Sequence, residues 1–175
     1  MAVKSVIVIN GSGGVGKDTL CDIASNHYRV FNVSSITPIK EIAAQCGWGG
    51  EKTNSARYFL SELKRIVTEY NDYPLKWLRA RHAEFMAGED EIMFVHIREP
   101  QEIEKFRTRV CPSAVTLLVR GGARMGNAGG YGNASDDLVE NYSYDYYYVN
   151  DKALIDIEDD FVPFLNTIVS DSVKE

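Results

Sequence analysis

Apolar positions repeat along the chain with two different periods, and these predict alternating strands and helices. Ser5 to Asn10 carries the unbroken run Val6-Ile7-Val8-Ile9, which predicts a strand buried on both faces. From about Lys17 to Asn26 the apolar residues Leu20, Ile23 and Ala24 follow helical spacing. Tyr28 to Val33 reads as a second, shorter strand. Pro38 suits the first turn of a helix that continues from Lys40 to Cys46 and stops at Gly47-Trp48-Gly49-Gly50. Asn54 or Ser55 can cap the next helix, which carries Tyr58, Leu60, Leu63, Ile66 and Val67. After the break at Asn71-Asp72-Tyr73-Pro74, a helix from about Leu75 to Met86 ends at Gly88. A largely helical insertion, about residues 37–87, therefore separates the second and third strands.

The third strand is Ile92 to Ile97, followed by Arg98-Glu99-Pro100 and a helix to about Val110. Ala114 to Val119 is the fourth strand. Residues 121–135 are rich in Gly, Asn and Ala and have the composition of a mobile lid. Asp136 to Tyr142 predicts a short helix, and Asp145 to Asn150 a fifth strand. Lys152 to about Ser170 predicts a closing helix with Leu154, Ile157, Phe161, Phe164, Leu165 and Ile168 inward. Strands that alternate with helices call for a mostly parallel sheet covered on both faces. With no linker or repeat, residues 1–175 read as one domain. Ligands of such sheets bind beyond the carboxyl ends of the strands, here at Gly11, Ser34, Arg98 and Arg120.

Composition narrows the partners. The chain has 19 basic and 25 acidic residues, a formal charge of -6. It lacks the basic footprint of a protein that binds a nucleic acid polymer. No apolar run approaches the roughly 20 residues of a membrane helix, and the first residues lack the pattern of a signal peptide. The three cysteines, Cys21, Cys46 and Cys111, form no metal or disulfide pattern. A cytoplasmic location is expected, as a monomer or a homodimer.

The chemistry is concentrated after the first strand. Gly11-Ser12-Gly13-Gly14-Val15-Gly16-Lys17 has the spacing of a phosphate-binding loop, between a strand and a helix. Glycines let successive N–H groups point at one anion, the helix adds its positive end, and Lys17 adds a full charge. Asp18 stands where Ser or Thr is usual, and the hydroxyl comes one place later at Thr19. Arg98, at the end of a strand, can grip a phosphate through paired hydrogen bonds. Arg120 and Arg124 flank the glycine-rich stretch, where closing-loop arginines can neutralise a transferring phosphoryl group. Lys40 and Arg57 can bind an acceptor's phosphate. Lys64 reads as a solvated helical lysine, and His96 as a hydrogen-bonded core residue.

Four stretches together resemble the nucleoside and deoxynucleoside monophosphate kinases, over the whole chain. They are Gly11 to Thr19; Ile36-Thr37-Pro38-Ile39-Lys40-Glu41; His96-Ile97-Arg98 with Glu99-Pro100-Gln101-Glu102; and Ser135 through Asp145-Tyr146 to Asn150. The Gly-Lys-Asp of the loop is also similar to that of animal-type phosphomevalonate kinases. The resemblance implies a three-layer P-loop NTPase fold with a parallel five-stranded sheet of order 2-3-1-4-5. It implies ATP on Gly11, Gly13, Gly14, Val15, Gly16, Lys17, Asp18 and Thr19, with Arg120. Acceptor contacts would come from Lys40, Arg57 and Arg98, and Arg124 would be the lid arginine. Magnesium would be held by the phosphates, Thr19 and waters. His96 stands where these enzymes usually carry an Asp.

The expected activity is transfer of a phosphoryl group from ATP to a phosphorylated small molecule, foremost a nucleoside monophosphate. Lys17, Arg98 and Arg124 would be its catalytic residues. Such an acceptor already presents an anionic oxygen, which agrees with Asn32-Val33-Ser34-Ser35 lacking an acid at the end of the second strand. The alternatives are a kinase for a small-metabolite hydroxyl, with Asp18 or His96 as base, and a nucleotide-binding protein with little turnover. A GTPase is disfavoured, because no Asn-Lys-x-Asp motif is present.

Overall fold

The computed structural model describes residues 4–122 and 138–172. Five strands form one sheet: β1 (Ser5–Asn10), β2 (Val30–Ser34), β3 (Ile92–His96), β4 (Val115–Gly121) and β5 (Tyr146–Asn150). Their order is β2-β3-β1-β4-β5 and every pairing is parallel. The helices are α1 (Lys17–Ser25), α2 (Thr37–Gln45), α3 (Asn54–Asn71), α4 (Tyr73–Ala87), α5 (Pro100–Arg109) and α6 (Ile157–Asp171).

The period-2 geometry of β1 explains the layering. Val6 and Val8 face one side, where they join Leu75, Leu78 and Phe85 of α4 and Ile103 and Phe106 of α5. Ile7 and Ile9 face the other, with Leu20 and Ala24 of α1 and Phe161, Leu165 and Ile168 of α6. The central strand is buried throughout, which is why Val6 to Ile9 is an unbroken apolar run. The register places the carboxyl ends of three strands together: His96 lies beside Ile9 and beside Ser34.

Several boundaries differ from the sequence reading, for local reasons. β2 starts at Val30, because the N–H groups of His27 and Tyr28 still donate to the Ala24 carbonyl and close α1. The final helix starts at Ile157 rather than Lys152. Before it the chain turns, with Asp156 N–H donating to the Ala153 carbonyl at 2.8 Å. Leu154 is consequently 74% exposed and does not face inward. Glu158, Asp159 and Asp160 then fill the first turn of α6, where the helix dipole favours negative charge. The short helix expected from Asp136 is a 3-10 turn over Val139–Asn141, with Asp136 outside the described residues. α3 buries little: Ala56 is its one buried residue, while Tyr58 and Ile66 are exposed. No described helix is long and apolar enough to cross a membrane.

Candidate active site

The phosphate-binding loop is held from both sides by asparagine side chains. Asn10, 1% exposed at the end of β1, accepts from Gly11 N–H through Oδ1 (2.8 Å). Its Nδ2 donates to the Arg98 carbonyl (2.9 Å) and to the Tyr144 hydroxyl (2.8 Å). That hydroxyl in turn donates to the Val139 carbonyl (2.8 Å). From β5, Asn150, also 1% exposed, donates through Nδ2 to the Val15 carbonyl (2.9 Å). Gly11 has φ +149°, and a Cβ there would lie 2.4 Å from the Val119 carbonyl oxygen of β4. The loop can pass this close to the sheet only without a side chain. Gly16, at φ 90°, precedes the first residue of α1, and Lys17 Nζ donates to the carbonyls of Gly11 (2.5 Å) and Ser12 (2.8 Å).

The loop forms one end of a cleft of about 1180 Å³ beyond the carboxyl ends of β1, β2 and β3. Gly13, Gly14, Gly16, Lys17, Asp18 and Thr19 line it, and so do Lys40, Arg57 and Arg98. Gly11 and Val15 lie beneath as the buried part of the loop. Arg120 is not among the lining residues. It donates to Glu140 at 2.7 and 3.1 Å and lies 4.9 Å over the Tyr147 ring. Arg124 falls outside the described residues.

The chain matches no protein-family model, and no curated protein matches its sequence. In structure it is similar to a sugar kinase from Janibacter sp. HTCC2649, at 18% identity and a TM-score of 0.50, covering 96% of this chain and 95% of that one. It is also similar to a provisionally assigned kinase from Chloroflexus aurantiacus J-10-fl, at 10% identity and a TM-score of 0.54, covering 94% and 98%. Shikimate kinase from Aquifex aeolicus VF5 aligns at 13% identity and a TM-score of 0.46, covering 93% and 96%. The chain has the fold of a P-loop kinase.

Within that fold, the sequence reading missed several lining residues. Lys52 reaches the cleft from the loop before α3, and Trp77 from α4. Lys64, read as solvated, also lines the cleft and is only 15% exposed. The helical period carries a signal for it, because Arg57, Leu60, Ser61 and Lys64 fall on one face of α3. Asn10 and Asn150 gave no local signal, as their partners come from distant parts of the chain.

His96 is half-buried, and its Nε2 lies 2.8 Å from Asn32 Oδ1. An amide oxygen only accepts, so Nε2 carries a proton in this arrangement. Burial holds the imidazole below its ordinary value, against a smaller opposing effect of Asp18. Cys21 Sγ lies 3.8 Å from the same nitrogen, and burial pushes that thiol up to about 12, which makes it a poor nucleophile. The consequence of the His96 shift has a definite sign. Above about pH 6.5 the ring is neutral both folded and unfolded. Below that, the unfolded chain takes up the proton first and stability falls. The urea midpoint should therefore drop between pH 7 and pH 5, and less steeply in His96→Gln. Equal slopes for the two proteins would remove His96 as the cause. His82, whose burial acts in the same direction, contributes equally to both.

The residues present fit a magnesium–nucleotide better than a protein-held metal. No group of three His, Cys, Asp or Glu residues could hold an ion among the described residues. Thr19 and Asp18 offer oxygen ligands in the first turn of α1. Magnesium keeps much of its water and takes few protein ligands when phosphates are at hand.

Proposed function

We propose that the protein transfers the terminal phosphoryl group of ATP to an anionic oxygen of a phosphorylated small molecule of the nucleoside monophosphate class, in the cytoplasm. The observation that supports this best is the charge of the cleft. Among the described residues Lys17, Lys40, Lys52, Arg57, Lys64 and Arg98 line it, against Asp18 and Glu99, in a chain of net charge -6. The carboxyl end of β2 offers Asn32 and Ser34 in place of an acid. A phosphate acceptor needs charge neutralisation and alignment, and it needs no general base.

Lys17 leaves the loop carbonyls and spans the terminal phosphates of the donor. Arg98, Arg57 and Lys40 hold the acceptor phosphate in line with them. Thr19 would offer its hydroxyl to magnesium, which would supply charge neutralisation for the phosphates. Arg124 acts as the closing arginine, by the resemblance described above. The likeness to a sugar kinase favours a second reading, in which a hydroxyl is the acceptor. Asp18 or His96, which both line the cleft, is then the base.

The two readings separate in an ADP-release assay with ATP and magnesium. The acceptor panel contains nucleoside and deoxynucleoside monophosphates, other phosphorylated metabolites, and unphosphorylated sugars. Stimulation by a phosphorylated acceptor is expected. Stimulation by sugars alone would favour the hydroxyl reading, and stimulation by none would overturn both.

A further inference from the structure

Lys64 and Glu99 face one another across the acceptor cleft. Lys64 belongs to α3, and Glu99 follows Arg98 at the junction of β3 and α5. Lys64 Nζ lies 2.7 Å from Glu99 Oε1, with side chains 15% and 34% exposed. The other carboxylate oxygen, Oε2, is buried and has no hydrogen-bond partner among the described residues. The pair is thus well aligned on one oxygen and unsatisfied on the other, an arrangement that stabilises weakly.

Its position along α3 matters as well. Arg57 and Lys64 lie on the same helix face, seven residues apart, which is about 10 Å along the axis. The two side chains therefore leave the helix at separate points of the cleft wall. Lys64 is therefore a second cationic position in the cleft, and a carboxylate sits on it.

We propose that Glu99 sets the binding threshold of Lys64: it is a tethered counter-anion that a phosphate dianion displaces at lower concentration than a monoanion does. This rests on the reading of the cleft as an acceptor site. A tethered group competes at an effective concentration on the order of millimolar. A free carboxylate or phosphodiester brings the same single charge and loses that competition at lower concentrations. A phosphate monoester carries nearly two charges above its second pKa of about 6, and it brings three acceptor oxygens. Glu99, already one-third exposed, can then turn toward solvent. The carboxylate raises the affinity that any anion needs by one common factor, and the ammonium supplies the preference for the higher charge.

The test follows the Lys64 side-chain signal by NMR in nucleotide-free protein labelled with ¹³C-lysine, the signal being assigned with Lys64→Arg. The probes are sulfate as dianion and acetate as monoanion. In the wild type, sulfate should move the signal and acetate should bind at least tenfold more weakly. In Glu99→Gln the affinities for acetate and sulfate should both rise about tenfold, while Glu99→Asp should stay close to the wild type in both. Equal affinities in the wild type, no change in Glu99→Gln, or a Lys64 signal that sulfate never moves would each overturn the proposal. The kinase reading fails separately, in the ADP-release assay, because this titration uses no nucleotide and no turnover.

Discussion

Lys17→Ala should lower turnover by about 10²- to 10³-fold, the scale of losing one transition-state charge contact in a water-poor site. Nucleotide affinity should weaken as well. The lysine is held ready above the loop by the Gly11 and Ser12 carbonyls. These neutral partners can be exchanged for phosphate oxygens that attract the ammonium more strongly. The ADP-release assay reads the loss, and circular dichroism should show an unchanged fold, since Lys17 lies outside the buried core. Turnover within threefold of the wild type would remove the loop from the site of reaction.

Gly11→Ala should have the second-largest effect, and on stability first. Its Cβ would lie 2.4 Å from the Val119 oxygen and 3.0 Å from Val15 Cγ2, at φ +149°. Val119 belongs to β4, which is paired on both sides, so the backbone it would push cannot yield cheaply. A cost of roughly 3 kcal/mol, the upper end of core overpacking, is expected in urea unfolding. Gly14→Ala is the internal comparison. It also has positive φ, +79°, but nothing lies within 4 Å of its added Cβ. Its cost should be about 1 kcal/mol, the left-handed backbone alone. If the two variants unfold alike, the close approach to β4 is not what requires a glycine at Gly11.

What was legible in the sequence was what neighbouring residues determine. The buried strands announced themselves as apolar runs, and the loop as glycines at fixed spacing from a lysine. Strand order came from the family resemblance rather than from any property of the strands. What was illegible depends on distance. Asn10 meets Tyr144 across 134 positions, and Asn150 meets Val15 across 135, so neighbouring residues reveal neither bond, although Asn150 belongs to a stretch that carries the family resemblance. Lys64 looked solvated because its carboxylate partner is on another element. Leu154 looked inward because helical periodicity continued through a turn that hydrogen bonding made non-helical.

The two asparagine braces have a thermodynamic consequence for the donor site. Gly11 and Val15, at either end of the glycine-rich curve, are fixed to β1 and β5 by side chains that are themselves buried. The conformational entropy of shaping the curve is therefore lost once, when the chain folds. A nucleotide meets a finished cradle, and its affinity is not reduced by a population of misshapen loops. Loosening either brace would transfer that ordering cost from folding to every binding event.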